Sequence, residues 1–252
     1  MSALVFLPGL ICDHAVWQSQ VDDLIQQGYE CQVIDYGNAD SLAEMARITL
    51  DLAPESCVLA GHSMGGRVAL EVARQAPQRL SHLVLMDTGY LPLAPGAAGE
   101  KERAGRMALI EKARHHGMRT MGQEWMQGMV LPQHLKDTKL CNTILDMIER
   151  KTVAQFEAQQ TALLNRPDAT EVLRSLSCPT LFICGSDDLW SPVSQHEAMA
   201  ELVVHSRVQV IAQSGHMSTM EQPEAVTQAL TEWLEITNAP TERYPGFNQT
   251  EG

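Results

Sequence analysis

The sequence predicts an α/β fold: a mostly parallel sheet of about six strands, helices on both faces, and a helical insertion. Three observations carry this prediction. Short apolar runs alternate with segments of helical spacing along most of the chain, as βαβ units do. The third apolar run breaks sharply into a helix through Gly61-His62-Ser63-Met64-Gly65-Gly66. Residues 89–176 hold helical patterns and almost no strand pattern, which places an insertion between two strands.

The elements follow in order. Ala3–Leu7 is apolar and stops at Pro8-Gly9, a strand and a turn. Over residues 14–27, Val16, Trp17, Val21, Leu24 and Ile25 recur at helical spacing, and Gly28 stops that helix. Residues 30–35 form the second strand. Ser41 caps a helix that runs to Ala53, with Glu44 at capping-box spacing. Residues 57–60 are the third strand, followed by a helix to Ala76, and 83–86 are the fourth. Inside the insertion, residues 100–115, 135–151 and 153–164 have helical spacing, and Thr152 with Gln155 repeats the capping-box pattern. Residues 179–184 and 208–211 are the last strands, and 221–236 the closing helix. This divides the chain into a core of 1–88 and 177–236, a helical lid of 89–176, and a polar, flexible tail of 237–252.

Composition narrows the function. At 252 residues, 44% hydrophobic and 19% charged, the chain can bury one large core. Its 18 Lys and Arg face 31 Asp and Glu, and the net charge of −13 repels phosphate backbones, which excludes general nucleic-acid binding. No stretch approaches the ~20 apolar residues of a membrane helix, so no membrane partner is expected. The apolar start has no basic residue before Arg47, which fits a buried strand better than a signal peptide. The six cysteines form no CxxC pair, so neither a disulfide framework nor a metal site is expected, and a reducing cytoplasm is the simplest setting; the expected state is a monomer or homodimer.

The chemistry centres on Gly61-His62-Ser63-Met64-Gly65, a G-x-S-x-G between a strand and a helix. A tight turn there lifts the Ser63 Oγ above the sheet edge, and the flanking glycines admit the close backbone approach. A glycine-rich loop with an incidental serine is the plainer alternative; a strand, a helix and later partners in matching order count against it. A serine hydroxyl is a weak nucleophile until a base takes its proton. His216, in a glycine-containing loop after the sixth strand, is the candidate base. A third group must hold the imidazole in one tautomer. Asp187 and Asp188 after the fifth strand, and Asp87 at the end of the fourth, are all open to that role. The N–H groups of Met64 and of Leu10, in the turn after the first strand, are the candidate oxyanion donors.

Four pieces together resemble the α/β-hydrolase superfamily. They are Leu7-Pro8-Gly9-Leu10, Gly61 to Gly66, Cys178-Pro179-Thr180-Leu181 with Gly185-Ser186-Asp187-Asp188 and Pro192, and Gly215-His216 before Glu221-Gln222-Pro223. Within the superfamily the chain looks like small single-domain esterases and enol-lactonases similar to 3-oxoadipate enol-lactonase. The resemblance spans nearly the whole chain except the tail and is weakest in the insertion. It implies the α/β-hydrolase fold, the order Ser63, Asp188, His216, and cleavage of a small ester or lactone with no cofactor and no metal. Its Gly-x-x-Asp-x-x-x-Pro pattern selects Asp188 and leaves Asp187 to shape the turn. Two departures stand out. Pro8-Gly9 replaces the His-Gly of many relatives, which changes pocket polarity. The chain also begins at what corresponds to the family's third strand, which leaves a sheet of six.

Substrate clues are fewer. Residues 89–176 hold 12 of the 18 basic and 10 of the 31 acidic residues, and the remainder 6 against 21. Lys101, Arg103, Arg106, Lys112, Arg114 and Arg119 make the basic part. A lid that draws in an anionic substrate is one reading; a solvated helix face with i,i+4 pairs is the other. Met107, Met118, Met121, Met126 and Met129 fit either an adaptable acyl pocket or simple packing. Arg67, in Gly65-Gly66-Arg67, matches a piece of the menaquinone-pathway lyase of the superfamily, where the arginine serves a carboxylated substrate. A solvent-facing helix position is the plainer account of it. Arg67, Trp125, Met126, Trp190 and Met217 are therefore the candidate pocket residues. The main alternative to an esterase or lactonase is a C–C bond hydrolase or lyase acting on an anionic metabolite with the same three residues. A non-catalytic ligand sensor is the third reading.

Overall fold

The computed structural model describes residues 3–238. Its sheet has six strands, β1 (Ala3–Leu7), β2 (Cys31–Val33), β3 (Cys57–His62), β4 (Leu80–Met86), β5 (Thr180–Gly185) and β6 (Ser206–Ile211), in the order β2-β1-β3-β4-β5-β6. Every pairing is parallel. Strands buried on both faces read as unbroken apolar runs. Accordingly β3 and β5 are buried throughout, while the edge strands β2 and β6 are partly exposed.

Helices cover both faces. On one, α1 (Gln18–Gln26) packs on α10 (Pro223–Asn238); on the other, α2 (Leu42–Leu52) packs on α3 (Met64–Gln75). Ser41 caps α2 by accepting the Glu44 N–H at 3.3 Å. Between β4 and β5 lie α4 (Ala97–Trp125), α5 (Thr138–Glu149), α6 (Val153–Leu164) and α7 (Thr170–Ser175). The reciprocal capping box of Thr152 and Gln155 is formed at the start of α6. After β5 come α8 (Val193–Ala200) and, beyond β6, α9 (Ser218–Glu221).

The differences from the sequence reading have local causes. The second strand is three residues long rather than six, because only Cys31–Val33 pairs with β1. The first insertion helix runs on to Trp125 through a kink at Gly117, whose φ of 83° suits a residue without a Cβ. The closing helix is divided at Gln222, and Pro223 starts its longer part, where a missing N–H costs nothing. The expected tail, 237–252, lies outside the described residues except for Thr237 and Asn238, which end α10. No described helix is long and apolar enough to cross a membrane.

Candidate active site

The chain leaves β1 for β2 on one side and returns to β3 on the other. The strand order therefore reverses between β1 and β3. Crevices for ligands open at the carboxyl ends of strands at such a reversal. Among the described residues, four other than glycine have positive φ: Ile11 (50°), Ser63 (54°), Asp87 (46°) and Gln213 (54°). All four follow the carboxyl ends of strands, β1, β3, β4 and β6 respectively. Such conformations cost energy in L-residues and gather where function requires them.

Ser63 sits in the turn between β3 and α3, its N–H donating to the Met86 carbonyl at 2.8 Å. A Cβ on Gly61 would strike the Gly65 backbone, and one on Gly65 would strike Leu7, so the two glycines are what let the turn close. The Ser63 hydroxyl donates to His216 Nε2 at 2.8 Å. His216 Nδ1–H donates to Asp188 Oδ2, also at 2.8 Å. Asp188 Oδ1 accepts the N–H groups of Trp190 (2.8 Å) and Ser191 (3.0 Å), which fixes the carboxylate. The three residues thus form one hydrogen-bonded line.

The charges around this line reinforce it. Burial works against ionised Asp188, but the His216 charge and the hydrogen bonds it receives hold its carboxyl below the usual range. Burial pulls the His216 imidazole down; Asp188, then Asp87 and Glu221, outweigh it and set its proton affinity above the ordinary value of 6.5. His62, buried beneath the ring, is pushed down to about 3 by burial and by His216. It is therefore neutral, and its single proton is on Nε2, which donates to the His216 carbonyl at 2.8 Å.

The other two candidate acids lie elsewhere. Asp187 hydrogen-bonds the Ser186 hydroxyl at 2.5 Å and shapes the turn. Asp87 is fully buried, accepts the Gly185 N–H at 2.9 Å and takes the Ser218 hydroxyl on its other oxygen. Burial, then the nearby Asp188 charge, pushes its carboxyl up to about 8.

Leu10 and Met64 flank the serine, and neither N–H has an acceptor among the described residues. The Leu10 loop is braced from α6, where the buried Gln159 side chain accepts the Ile11 N–H at 2.7 Å. Sequence reasoning missed Gln159, because a glutamine within a helical pattern gives no sign of which distant loop it meets.

A cavity of about 900 Å³ opens over Ser63 and His216. Two tryptophans wall it near the histidine. Trp125 stacks on Trp190 at 5.5 Å between ring centroids, and Trp190 lies 4.9 Å from the His216 ring. Farther along, Arg67, Lys101, Glu102, Arg106, Gln160 and Arg166 line it. Arg166 holds both Glu102 oxygens at 2.8 Å, and Arg106 binds Glu102 at 2.9 Å and Gln160 at 2.6 Å. Burial opposes the Glu102 charge, but the two arginines bring its carboxyl down to about 2. Arg67 donates to the Leu91 carbonyl at 2.9 Å and has no carboxylate partner among the described residues. The cluster therefore carries three guanidinium groups against one carboxylate.

Several expected pocket residues are corrected. Met126 and Met217 are buried at 5% and 1% exposure and do not line the cavity. Met118, Met121 and Met129 are likewise buried in packing, and Met107 is exposed, so the methionines form no acyl pocket. Of the basic residues in α4, only Lys101 and Arg106 reach the cavity. Arg114 pairs with Glu111 and Glu157, Arg119 with Asp146 and Glu149, and Lys112 with Glu124. Those three form the paired helix face. Arg166 was missed as a cavity residue, because it reaches Glu102 only through the packing of α4 on α6 and meets Arg67 only at the Leu91 carbonyl, to which both donate.

Residues 4–229 match the model of the alpha/beta hydrolase family. An esterase from Thermogutta terrifontis, solved with malate bound, superposes with a TM-score of 0.83 at 30% identity, over 95% of this chain and 91% of its own. The enol-lactonase of Burkholderia xenovorans LB400 superposes with a TM-score of 0.78 at 18% identity, over 93% and 92%, a likeness of fold alone. The 2-succinyl-6-hydroxy-2,4-cyclohexadiene-1-carboxylate synthase of Salmonella newport is 27% identical over 93% of this chain and 94% of its own.

Proposed function

The chain belongs to the alpha/beta hydrolase family, and from that premise we propose that it is a serine hydrolase of small carboxylic esters or lactones. The observation that carries this reading is the line from Ser63 Oγ through His216 to Asp188, with both hydrogen bonds at 2.8 Å, on the floor of the cavity. Ser63 attacks the carbonyl carbon while His216 Nε2 takes its proton. Asp188 holds the ring in the tautomer with Nδ1 protonated and stabilises the imidazolium that forms. The unengaged N–H groups of Leu10 and Met64 receive the oxyanion, each such donor being worth about 10²–10³ in kcat. His216 returns the proton to the leaving oxygen. Water then repeats the sequence on the acyl-enzyme and frees the acid. No step needs a cofactor. We place this chemistry in a reducing cytoplasm, a setting supported by six unpaired cysteines.

Two measurements test the reading. Turnover of p-nitrophenyl acetate or butyrate, together with labelling of Ser63 by a fluorophosphonate, is the expected result. Neither turnover nor labelling would leave a ligand sensor instead. Because only neutral His216 can accept the proton, and its affinity for a proton is raised, kcat/KM is expected to fall with acidification through a midpoint above 6.5.

The second reading, a C–C hydrolase or lyase on an anionic metabolite, is favoured by the three guanidinium groups set against Glu102 alone. An anionic substrate fits either chemistry, and the malate held by the Thermogutta esterase supports that charge preference. Labelling without ester turnover would select the second reading. Arg67→Met is expected to lower kcat/KM for a carboxylated ester by about tenfold or more, the loss of one charge-assisted hydrogen bond. For a neutral ester of equal size the change should stay within about threefold. Equal losses on both esters would remove the anion preference.

A further inference from the structure

The carboxyl-end loops are tied together by a residue that the proposed reaction does not use. Glu221 ends α9, and its side chain is completely buried. Its Oε1 accepts the N–H of Gly215, the residue before His216, at 2.9 Å. Its Oε2 accepts the Leu131 N–H at 2.9 Å and a proton from His134 Nδ1, also at 2.9 Å. Leu131 and His134 belong to the stretch between α4 and α5, within the insertion. The same stretch meets the histidine directly, because the His216 N–H donates to the Met129 carbonyl at 2.7 Å. The fit leaves no slack: a Cβ on Gly215 would stand 2.6 Å from the Met129 carbonyl oxygen, and one on Gly128 would stand 3.1 Å from the Trp190 ring.

We propose that Glu221 is a positioning residue that fastens the 126–134 stretch, at Leu131 and His134, to the loop bearing His216, so that the imidazole is aligned on Ser63 only while that stretch is docked. This rests on the reading of His216 as the general base. The chemistry of the donor set supports it. An ionised carboxylate accepts and never donates, so one Glu221 satisfies three N–H groups that have no other acceptor among the described residues. Glutamine cannot do this, since its amide nitrogen would face an N–H donor on one side. The Glu221 charge adds to that of Asp188 around the histidine, and Asp87, largely neutral, lies beside them. The titratable groups facing His216 are those three, together with His62 below it and His196 behind the β5 loop. The connection explains why a segment far from Ser63 in sequence bears on its base. His134 is 22% exposed, so it is the accessible end of the fastening.

The test compares Glu221→Gln, His134→Ala and His134→Asn in the full chain. Glu221→Gln is expected to lower kcat about 10- to 100-fold with KM nearly unchanged, the cost of a small misplacement of the base. Fluorophosphonate labelling of Ser63 should slow by the same factor. The acid midpoint of kcat/KM, and the imidazole titration of His216 followed by NMR, should both move to lower pH, because a negative charge is gone. His134→Ala should reduce kcat by a smaller factor, and His134→Asn, whose amide N–H stands where Nδ1–H stood, should recover it. If Glu221→Gln fails to fold by circular dichroism, the two His134 variants decide: no difference between them overturns the proposal. A folded Glu221→Gln with unaltered labelling and an unshifted His216 titration also overturns it, whatever happens to its melting temperature. If the wild-type protein neither turns over esters nor labels, the esterase reading fails by itself, and the His216 titration still decides whether Glu221 acts on the histidine.

Discussion

Replacing Ser63 or His216 by alanine is expected to cost on the order of 10⁴-fold or more in kcat, and the double variant should be little worse than either. In the proposed reaction the two act as one device. Without His216 the hydroxyl keeps its proton; without Ser63 the imidazole has no nucleophile to serve. KM should change far less, since neither group provides much ground-state binding. The residual rate would come from the cavity and from the Leu10 and Met64 N–H groups. Steady-state kinetics of the three variants on one p-nitrophenyl ester settle the matter. Losses that multiply in the double variant would mean that the 2.8 Å contact between Ser63 and His216 is not used in turnover.

The second large effect separates the acids. Asp188→Asn should lose about 10⁴-fold in kcat, because an amide can present its N–H₂ to Nδ1 and stabilise the wrong tautomer. Asp187→Asn should stay close to wild type, since that side chain meets only Ser186 and the turn. Asp87→Asn should lose less than about tenfold, for a reason the charges supply. With its carboxyl pushed up to about 8, Asp87 is largely neutral at neutral pH, and a neutral amide copies it. Asparagine offers Oδ1 to the Gly185 N–H and its Nδ2–H to the Ser218 hydroxyl, the two partners Asp87 now holds. An inactive Asp87→Asn beside an active Asp188→Asn would place the acid after β4 instead of β5.

Much of the architecture was legible in the sequence because it follows from local rules. Alternating apolar runs and helical spacings gave the parallel sheet, and the capping residues Ser41 and Thr152 marked helix starts that the structure contains. The G-x-S-x-G pattern identified the turn at Ser63, since only small residues fit where Gly61 and Gly65 stand. The order of strands then limited the partners of Ser63 to residues at later strand ends, His216 and one of three aspartates.

Distances across the fold were not legible, because they depend on how separate elements pack. Sequence spacing alone left Asp87, Asp187 and Asp188 open, and the resemblance to a family favoured Asp188. Tertiary structure put Asp188 against Nδ1 and turned Asp87 toward Ser218. A count of basic residues in the insertion could not separate Arg106, which enters the cavity, from Arg114 and Arg119, which pair with acids on the surface. The three-way acceptor role of Glu221 joins residues 131, 134 and 215, two of them some ninety residues away in the chain. A single sequence carries the type of each residue and its nearest neighbours along the helix or strand. Which buried donor meets which acceptor is decided only when helices dock on the sheet and water leaves between them, since only then must every polar group find a partner inside the protein.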